Sequence, residues 1–392
     1  MHTAPQPDRR SRTGLWLIGG RGSVATTAIV GAALVEAGLS PQTGFVTALE
    51  PFQQAGLGRA TDVVFGGHDI ATVPLQKRAE ILTDGGVLPQ GAVRAVTEQL
   101  DRVDAEILAA PGAGTPPSVA LERLVADLRT FRNRHGLDRV VVVDVSSTEA
   151  PVPAHPAHRD LAGLRRALER GEDVLPPSSL YAMAAFEAGC PHVSFTPSTG
   201  ARLPALDELA QERGLPYAGS DGKTGETLLR TALAPMFATR NLTVRSWSGT
   251  NLLGGGDGET LADPAHAASK LDSKSGVLGA LLGYDVVAPL HIDNVPDMGD
   301  WKTSWDHVSF EGFLGTRMRM QVTWEGCDSA LAAPLVLDLA HLLAHAHGAG
   351  LSGPVPELAF FFKDPLGRVP THGVEQQFAT LVRWAEGLGG GR

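Results

Sequence analysis

The chain has 392 residues, 43% of them hydrophobic, and 33 basic against 43 acidic side chains, a formal charge of −10. That is length for two domains and enough apolar content for real cores, while the acidic balance argues against nucleic acid or an anionic membrane as a partner. Two cysteines, Cys190 and Cys327, make no disulfide framework and fit a reducing cytoplasm.

Residues 1–13 are polar, with Pro5, Pro7 and Arg9-Arg10, and no apolar export segment follows, so they read as a disordered arm. An apolar run at 15–18 then enters Gly19-Gly20-Arg21-Gly22-Ser23-Val24-Ala25, and an apolar helix continues to residue 39. Strand, glycine turn and helix in this order, with Gly20-x-Gly22-x-x-Ala25, fit a dinucleotide fingerprint. The glycines let backbone approach a pyrophosphate, and the helix N-terminus faces the anion. An ordinary βα turn is the alternative. Residues 45–49 read as the second strand, ending at Glu50, where an acidic ribose ligand is expected. The apolar run at 62–65, followed by two glycines, puts Asp69 at the mouth of a parallel sheet.

Apolar spacing of three and four predicts a helix over 119–134. Residues 139–145 hold five valines and predict a buried parallel strand, opening into Ser146, Ser147, Thr148 and Glu149. A capped helix over 177–189 and a strand over 192–195 continue the alternation. The pattern to this point is a doubly wound α/β domain.

After Gly219 the texture changes. Gly219–Thr227 contains Gly222-Lys223-Thr224, but Ala218 stands where a Walker A glycine is required, which sets a P-loop nucleotidase aside. A helix is expected through 233, and strands at 243–247, near 285–291, at 308–313 and at 317–324. Gly254–Gly258 is a loop where backbone must come close to something. A long apolar helix is expected over 328–345. His341 and His345 are four apart on it, but no acid or cysteine completes a ligand set, so they read as a solvated helix end and no metal is assigned.

Lysine use is the most informative signal. Only six of the 33 basic residues are lysine, and five of them, Lys223, Lys270, Lys274, Lys302 and Lys363, fall in one part of the chain. A compact ammonium on a flexible stem, whose pKa burial can lower, does what guanidinium cannot. Lys270 and Lys274 would share one helix face, a repulsive arrangement without an acid beside it. The five are expected to build one site for an anionic, carbonyl-bearing substrate. The alternative is ordinary surface lysines in an arginine-biased chain.

Taken together, these stretches resemble the inositol-3-phosphate synthase family from about residue 14 to 365. Val64–Ile70 is similar to the family's VFGGWDI, Ser147-Thr148-Glu149 to NTE, and residues 177–182 to SPSTLYA. Gly219–Thr227 is similar to GDDxKSGQT, Asn251–Gly258 to NHLGNNDG and Ser269–Ser275 to SKEISKS. Val295–Lys302 is similar to VPYVGDSK, residues 328–334 to EDSLLAAP and Phe361-Phe362-Lys363 to FFK. The resemblance implies a Rossmann-like, doubly wound NAD-binding domain over 14–220 and a second α/β catalytic and tetramerisation domain over 221–329. It implies that segment 330–392 packs back on the first domain. It implies a homotetramer in the cytoplasm that uses NAD to oxidise C5 of a hexose 6-phosphate, enolises the ketone, closes a ring by intramolecular aldol addition and reduces the ketone again. Lys274 and Lys302 would serve the C5 oxygen and its proton, and Lys270 and Lys363 the aldol carbonyl and phosphate. Asp221, Asp257, Asp300 and Asp328 would orient the lysines or the nicotinamide region. Gly20, Gly22, Ser23, Val24, Asp69, Ser146, Ser147, Thr148 and Lys223 would hold the cofactor.

The departures sit in pocket loops. The family's double Asp is Ser220-Asp221, its NND is Gly255-Gly256-Asp257, and its QNT stretch is Ser198-Thr199-Gly200. Kept lysines with an altered grip lean the expectation toward a ketose, fructose 6-phosphate, which would give a five-membered cyclitol phosphate. Glucose 6-phosphate is the alternative substrate. A dehydrogenase that releases NADH and a non-catalytic NAD sensor are alternatives of other classes.

Overall fold

The computed structural model describes residues 11–112, 114–150, 152–254, 278–369 and 371–389. Seven parallel strands form one sheet in the order β11-β6-β5-β4-β1-β2-β3. They are β1 (Thr13–Ile18), β2 (Val63–Asp69), β3 (Ile107–Ala109), β4 (Arg139–Asp144), β5 (His192–Ser194), β6 (Pro216–Gly219) and β11 (Gly353–Pro354). Strand side chains alternate between faces, and both faces are covered. Leu15, Leu17, Val141 and Val143 enter a core shared with helices Ser23–Glu36 and Asp328–Gly348. Trp16, Ile18, Val140 and Val142 enter another, against Leu128 and Phe131 of helix Pro117–His135. Val140 to Val143 are fully buried, each contributing about 1.5–3 kcal/mol of transfer free energy.

Two expectations are corrected here. Residues 45–49 are not a strand, and Glu50 begins a short helix, Glu50–Gln54. Asp338, inside helix Asp328–Gly348, accepts hydrogen bonds from Val46 N (2.6 Å) and Thr47 Oγ1 (2.5 Å), which fixes this stretch as irregular chain. The second strand is Val63–Asp69, paired in register with β1, so the acid at its end is Asp69, not Glu50. His341 and His345 do not end a helix in solvent. His341 is buried, which pushes its pKa down to about 3, and His345 Nε2 is 2.7 Å from the carbonyl of Leu57. Helix Asp328–Gly348 has the length and composition to cross a bilayer, yet most of it is buried inside the fold.

The second sheet has the order β10-β9-β7-β8, from β7 (Thr243–Leu253), β8 (Leu290–Asn294), β9 (Trp301–Glu311) and β10 (Arg317–Cys327). β9 is antiparallel to β7 and β10, and β8 is parallel to β7. One face packs Trp247 and Val308 against Ala234 and Phe237 of helix Glu226–Thr239. On the other face Trp305 is 47% exposed, among cross-strand polar neighbours such as Thr250 and Thr323. The chain then runs from β10 directly into helix Asp328–Gly348 and returns to the first sheet, where β11 pairs with β6. Helix Val374–Gly389 closes that core with Leu381 and Ala385.

Candidate active site

The carboxyl edge of the parallel sheet faces the start of the second sheet across a cleft. Among the described residues its lining includes Val24, Ser146 and Thr148 from the first side. From the second and from the return segment come Asn251, Leu253, Ile292, Lys302, Asp328 and Lys363, with Asp221 and Thr224–Thr227 between them. Strand ends expose backbone groups and short loops there, which is why open α/β sheets bind ligands at that edge.

The cofactor side is built from backbone. Gly19 N and Gly20 N both donate to the carbonyl of His68, at 2.9 and 3.1 Å, and Gly22 N donates to Gly19 O at 2.9 Å, which coils the turn tightly. Gly19 has φ +82°, and a Cβ there would lie 2.9 Å from Ser146 Cα; only glycine fits. A Cβ on Gly22 would lie 3.1 Å from Gly19 O. Helix Ser23–Glu36 begins at Gly22 with no side-chain cap and no acid in its first turn, so its N-terminal amides and positive end stay available to an anion. Asp69 is buried at the end of β2 and accepts from Arg21 N (2.6 Å) and Ala71 N (2.7 Å). Ser146 donates its N–H and Oγ to Asp144 Oδ1, at 3.0 and 2.6 Å. Burial pushes the Asp144 carboxyl up to about 6, against those hydrogen bonds. Cradle, amide-rich helix start and strand-end acid are the parts a dinucleotide requires, and they fit one.

The substrate side is built from ion pairs. Lys302 Nζ lies 2.5 Å from Asp328 Oδ1 and 2.7 Å from Oδ2. Asp328 also accepts from Thr224 Oγ1 at 3.0 Å. Burial alone would raise the Asp328 carboxyl. Lys302, then Lys363 and Thr224, outweigh it and hold the pKa below the usual range. Gly225 lets Lys302 cross the backbone, because a Cβ there would sit 2.8 Å from Nζ. Lys363 Nζ donates to Asp221 Oδ1 at 2.8 Å, and its backbone N–H to Asp221 O at 2.7 Å. Asp221 adopts a left-handed backbone, φ 61°, a conformation costing about 1–2 kcal/mol. The two Lys363 bonds fix it with its carboxylate against the ammonium.

Of the residues singled out from sequence, the structure thus brings Val24, Ser146, Thr148, Asp221, Lys302, Asp328 and Lys363 to one cleft. Ser147 and Asp300 are not in its lining; Asp300 accepts instead from Ser329 Oγ at 3.2 Å. Lys223 is turned away from the cleft. It is buried, its pKa pushed down to about 8 by burial, and Nζ donates to Gln377 Oε1 of the C-terminal helix at 2.7 Å. Lys270, Lys274 and Asp257 lie outside the described residues.

Sequence reasoning missed Glu226 and Asn251, which face the cleft together. Asn251 Nδ2 donates to Glu226 Oε2 at 2.7 Å, and Glu226 Oε1 is 2.6 Å from Arg230 Nη2. Behind them Trp247 Nε1 donates to Asp306 Oδ1 at 2.8 Å. Asp306 is pushed up by burial and then by the charge of Glu226, with Arg230 opposing. A carboxylate only accepts, so Glu226 takes the Asn251 NH2 and leaves the Asn251 Oδ1, buried and without a partner among the described residues, as an acceptor. The available signal was Glu226 standing where the motif GDDxKSGQT has glutamine.

Comparison with known proteins returns one consistent result. Residues 13–385 match an NAD-binding family model described as myo-inositol-1-phosphate synthase. Inositol-3-phosphate synthase 1 of Bacteroides thetaiotaomicron is 33% identical over 391 aligned positions, covering 91% of this chain and 90% of that one. The human inositol-3-phosphate synthase 1 is 32% identical over 78% of this chain, which spans 60% of the human protein's length. The crystal structure of inositol-3-phosphate synthase from Caenorhabditis elegans superposes with a TM-score of 0.83 at 22% identity. That match covers 97% of this chain and 86% of the other, and it shows the same fold.

Proposed function

Because the chain belongs to the myo-inositol-1-phosphate synthase family, with NAD as its cofactor, we propose that it cyclises a hexose 6-phosphate to a phosphorylated cyclitol without net redox change. The supporting observation is the convergence of two lysine–aspartate couples, Lys302–Asp328 and Lys363–Asp221, on the cleft that also holds the cofactor-side residues. When bound, NAD supplies a hydride acceptor that later returns the hydride.

The residues supply the rest. Ring closure needs an oxyanion stabilised next to a carbonyl, and an ammonium in a partly dry cleft does this well. Lys302 holds the C5 oxygen. Asp328, kept ionised, takes up and returns the hydroxyl proton through it. Lys363, anchored by Asp221, holds the carbonyl oxygen under attack. The described lining carries two ammoniums against Asp221, Glu226 and Asp328. The phosphate dianion therefore calls on the further family lysines: Lys270 shares it and the aldol carbonyl with Lys363, and Lys274 shares the C5 oxygen with Lys302.

Of the two hexoses, fructose 6-phosphate is favoured over glucose 6-phosphate. The lysines stand at family positions, while Ser198-Thr199-Gly200, Ser220, Gly255-Gly256 and Glu226 depart from the family motifs. With the ketose, the C6 enolate adds to C2 and closes a five-membered ring. Product NMR after incubation with each sugar phosphate and NAD decides it: a six-membered cyclitol from the aldose alone refutes the ketose. Steady growth of NADH absorbance would replace the cyclase by a plain dehydrogenase. The assembly is a homotetramer in which second copies cover the open face of the four-stranded sheet. Trp305 on that face and the eleven-residue edge strand β10 support this. Light scattering on Trp305→Glu should show smaller assemblies, and an unchanged mass would move the interface elsewhere.

A further inference from the structure

A dinucleotide brings a pyrophosphate with two negative charges to the glycine turn, and Asp69 already contributes a third negative charge nearby. The guanidinium of Arg21 does not offset them. Its Nε is 3.1 Å from Asp104 Oδ1 and its Nη2 3.0 Å, so it is neutralised within the chain. Arg78 differs. It comes from helix Leu75–Asp84, and its Nη2 donates to Ser23 Oγ at 2.6 Å. Ser23 is the first residue of the uncapped helix. Among the described residues Arg78 has no carboxylate partner, whereas neighbouring Lys77 pairs with Glu80 at 3.1 Å. A half-buried guanidinium with no carboxylate partner among the described residues keeps donors for an arriving anion.

We propose that Arg78 is a pyrophosphate-binding residue. One N–H of its planar fork is spent on Ser23, which fixes the plane. The remaining donors then face the anion that the Ser23 and Val24 amides receive. Arginine suits this task because it can serve both partners at once with one rigid group, which a lysine ammonium does less well. Asp69 opposes a 2′-phosphate on the adenosine ribose, so the charge Arg78 meets is that of the diphosphate bridge. Sequence patterns did not mark this residue, because it lies in a different element from the glycine fingerprint and meets it only once helix Leu75–Asp84 packs beside helix Ser23–Glu36.

The inference rests on NAD being the cofactor, and the test separates the two. Calorimetric titrations of wild type, Arg78→Met and Arg78→Lys use NAD, ADP-ribose and adenosine as probes, with NADP as a control. Loss of one charge-assisted contact predicts that Arg78→Met weakens NAD and ADP-ribose roughly tenfold or more. Adenosine, which lacks the pyrophosphate, binds as before. Arg78→Lys recovers part of the loss, and raising salt narrows the gap between wild type and the Met variant. The proposal is overturned if NAD and adenosine weaken together, if only NADP is affected, or if Arg78→Met binds NAD like wild type. Wild type that binds neither NAD nor ADP-ribose would instead sink the cofactor assignment. Ligand-free melting curves identify any variant that fails to fold, and Arg78→Lys then carries the test.

Discussion

The two walls of the cleft achieve specificity by opposite means. The parallel sheet is covered on both faces and its cofactor side is mostly backbone, a glycine coil and helix amides, with Asp69 and Arg78 beside them. The opposite wall, made by the four-stranded sheet together with the loop after β6 and the return segment, presents side chains, and its two described ammoniums, Lys302 and Lys363, are each matched by an aspartate. A ligand on the first wall is recognised by space and by peptide groups, which few substitutions can mimic. On the second wall it is recognised by charge, which a single substitution removes. Apart from Arg78, the first wall should therefore fail by clash or lost stability, and the second by lost turnover with the fold intact.

The largest expected effect breaks the second wall alone. Lys302→Met should lower turnover by roughly 10³-fold and leave NAD affinity, by calorimetry, within about twofold. A parallel collapse of NAD affinity would mean that Lys302 belongs to the cofactor wall and the contrast is wrong. Next, Gly19→Ala forces φ +82° and a 2.9 Å approach to Ser146 Cα. It should cost about 1–3 kcal/mol in urea unfolding and abolish measurable NAD binding; a variant as stable as wild type would show that the turn has slack.

The third prediction sharpens the contrast within the dry core. Burial pushes the Asp338 carboxyl up to about 7, outweighing its bonds from Thr47 and Val46. The unfolded chain loses this proton near pH 4 and the folded chain only near 7. The group's contribution to stability is thus fully present below about 4 and is lost as pH rises through 7. Asp338→Asn should remove a fall on the order of 4 kcal/mol between pH 4 and 8, read from urea midpoints. A slope identical to wild type would show that Asp338 is ionised in the fold.

The sequence made the parallel sheet legible where strands were long enough to show a period. The run Val140–Val143 and the step from Ile18 into glycine needed no partner to be recognised. Strands β3, β6 and β11 have three, four and two residues, too few to leave a pattern; β5, also three residues, was legible only because its run opens into a Ser/Thr loop. Residues 45–49 looked like a strand because they are apolar, but the Val46 and Thr47 amides are taken by Asp338, nearly 300 positions away, and those of Phe45 and Leu49 by local turns. Lys302 and Lys363 were legible through the scarcity of lysine. The same reasoning put Lys223 in the site, and it failed there because Gln377, 154 residues downstream, takes the ammonium. The Glu226–Arg230–Asp306 cluster was hidden for a related cause: it exists only once a helix lies on a sheet.

The order of the strands also has a bearing on biosynthesis. The parallel half is completed by helix Asp328–Gly348, β11 and helix Val374–Gly389, all of which the ribosome makes after the entire second sheet. Early strands must wait, incompletely covered, while the intervening residues are translated. A product that stops before these elements has its second sheet but leaves the parallel half uncovered and the cleft without Asp328 and Lys363. Both sides of the cleft are therefore completed together, only once helix Val374–Gly389 has been made.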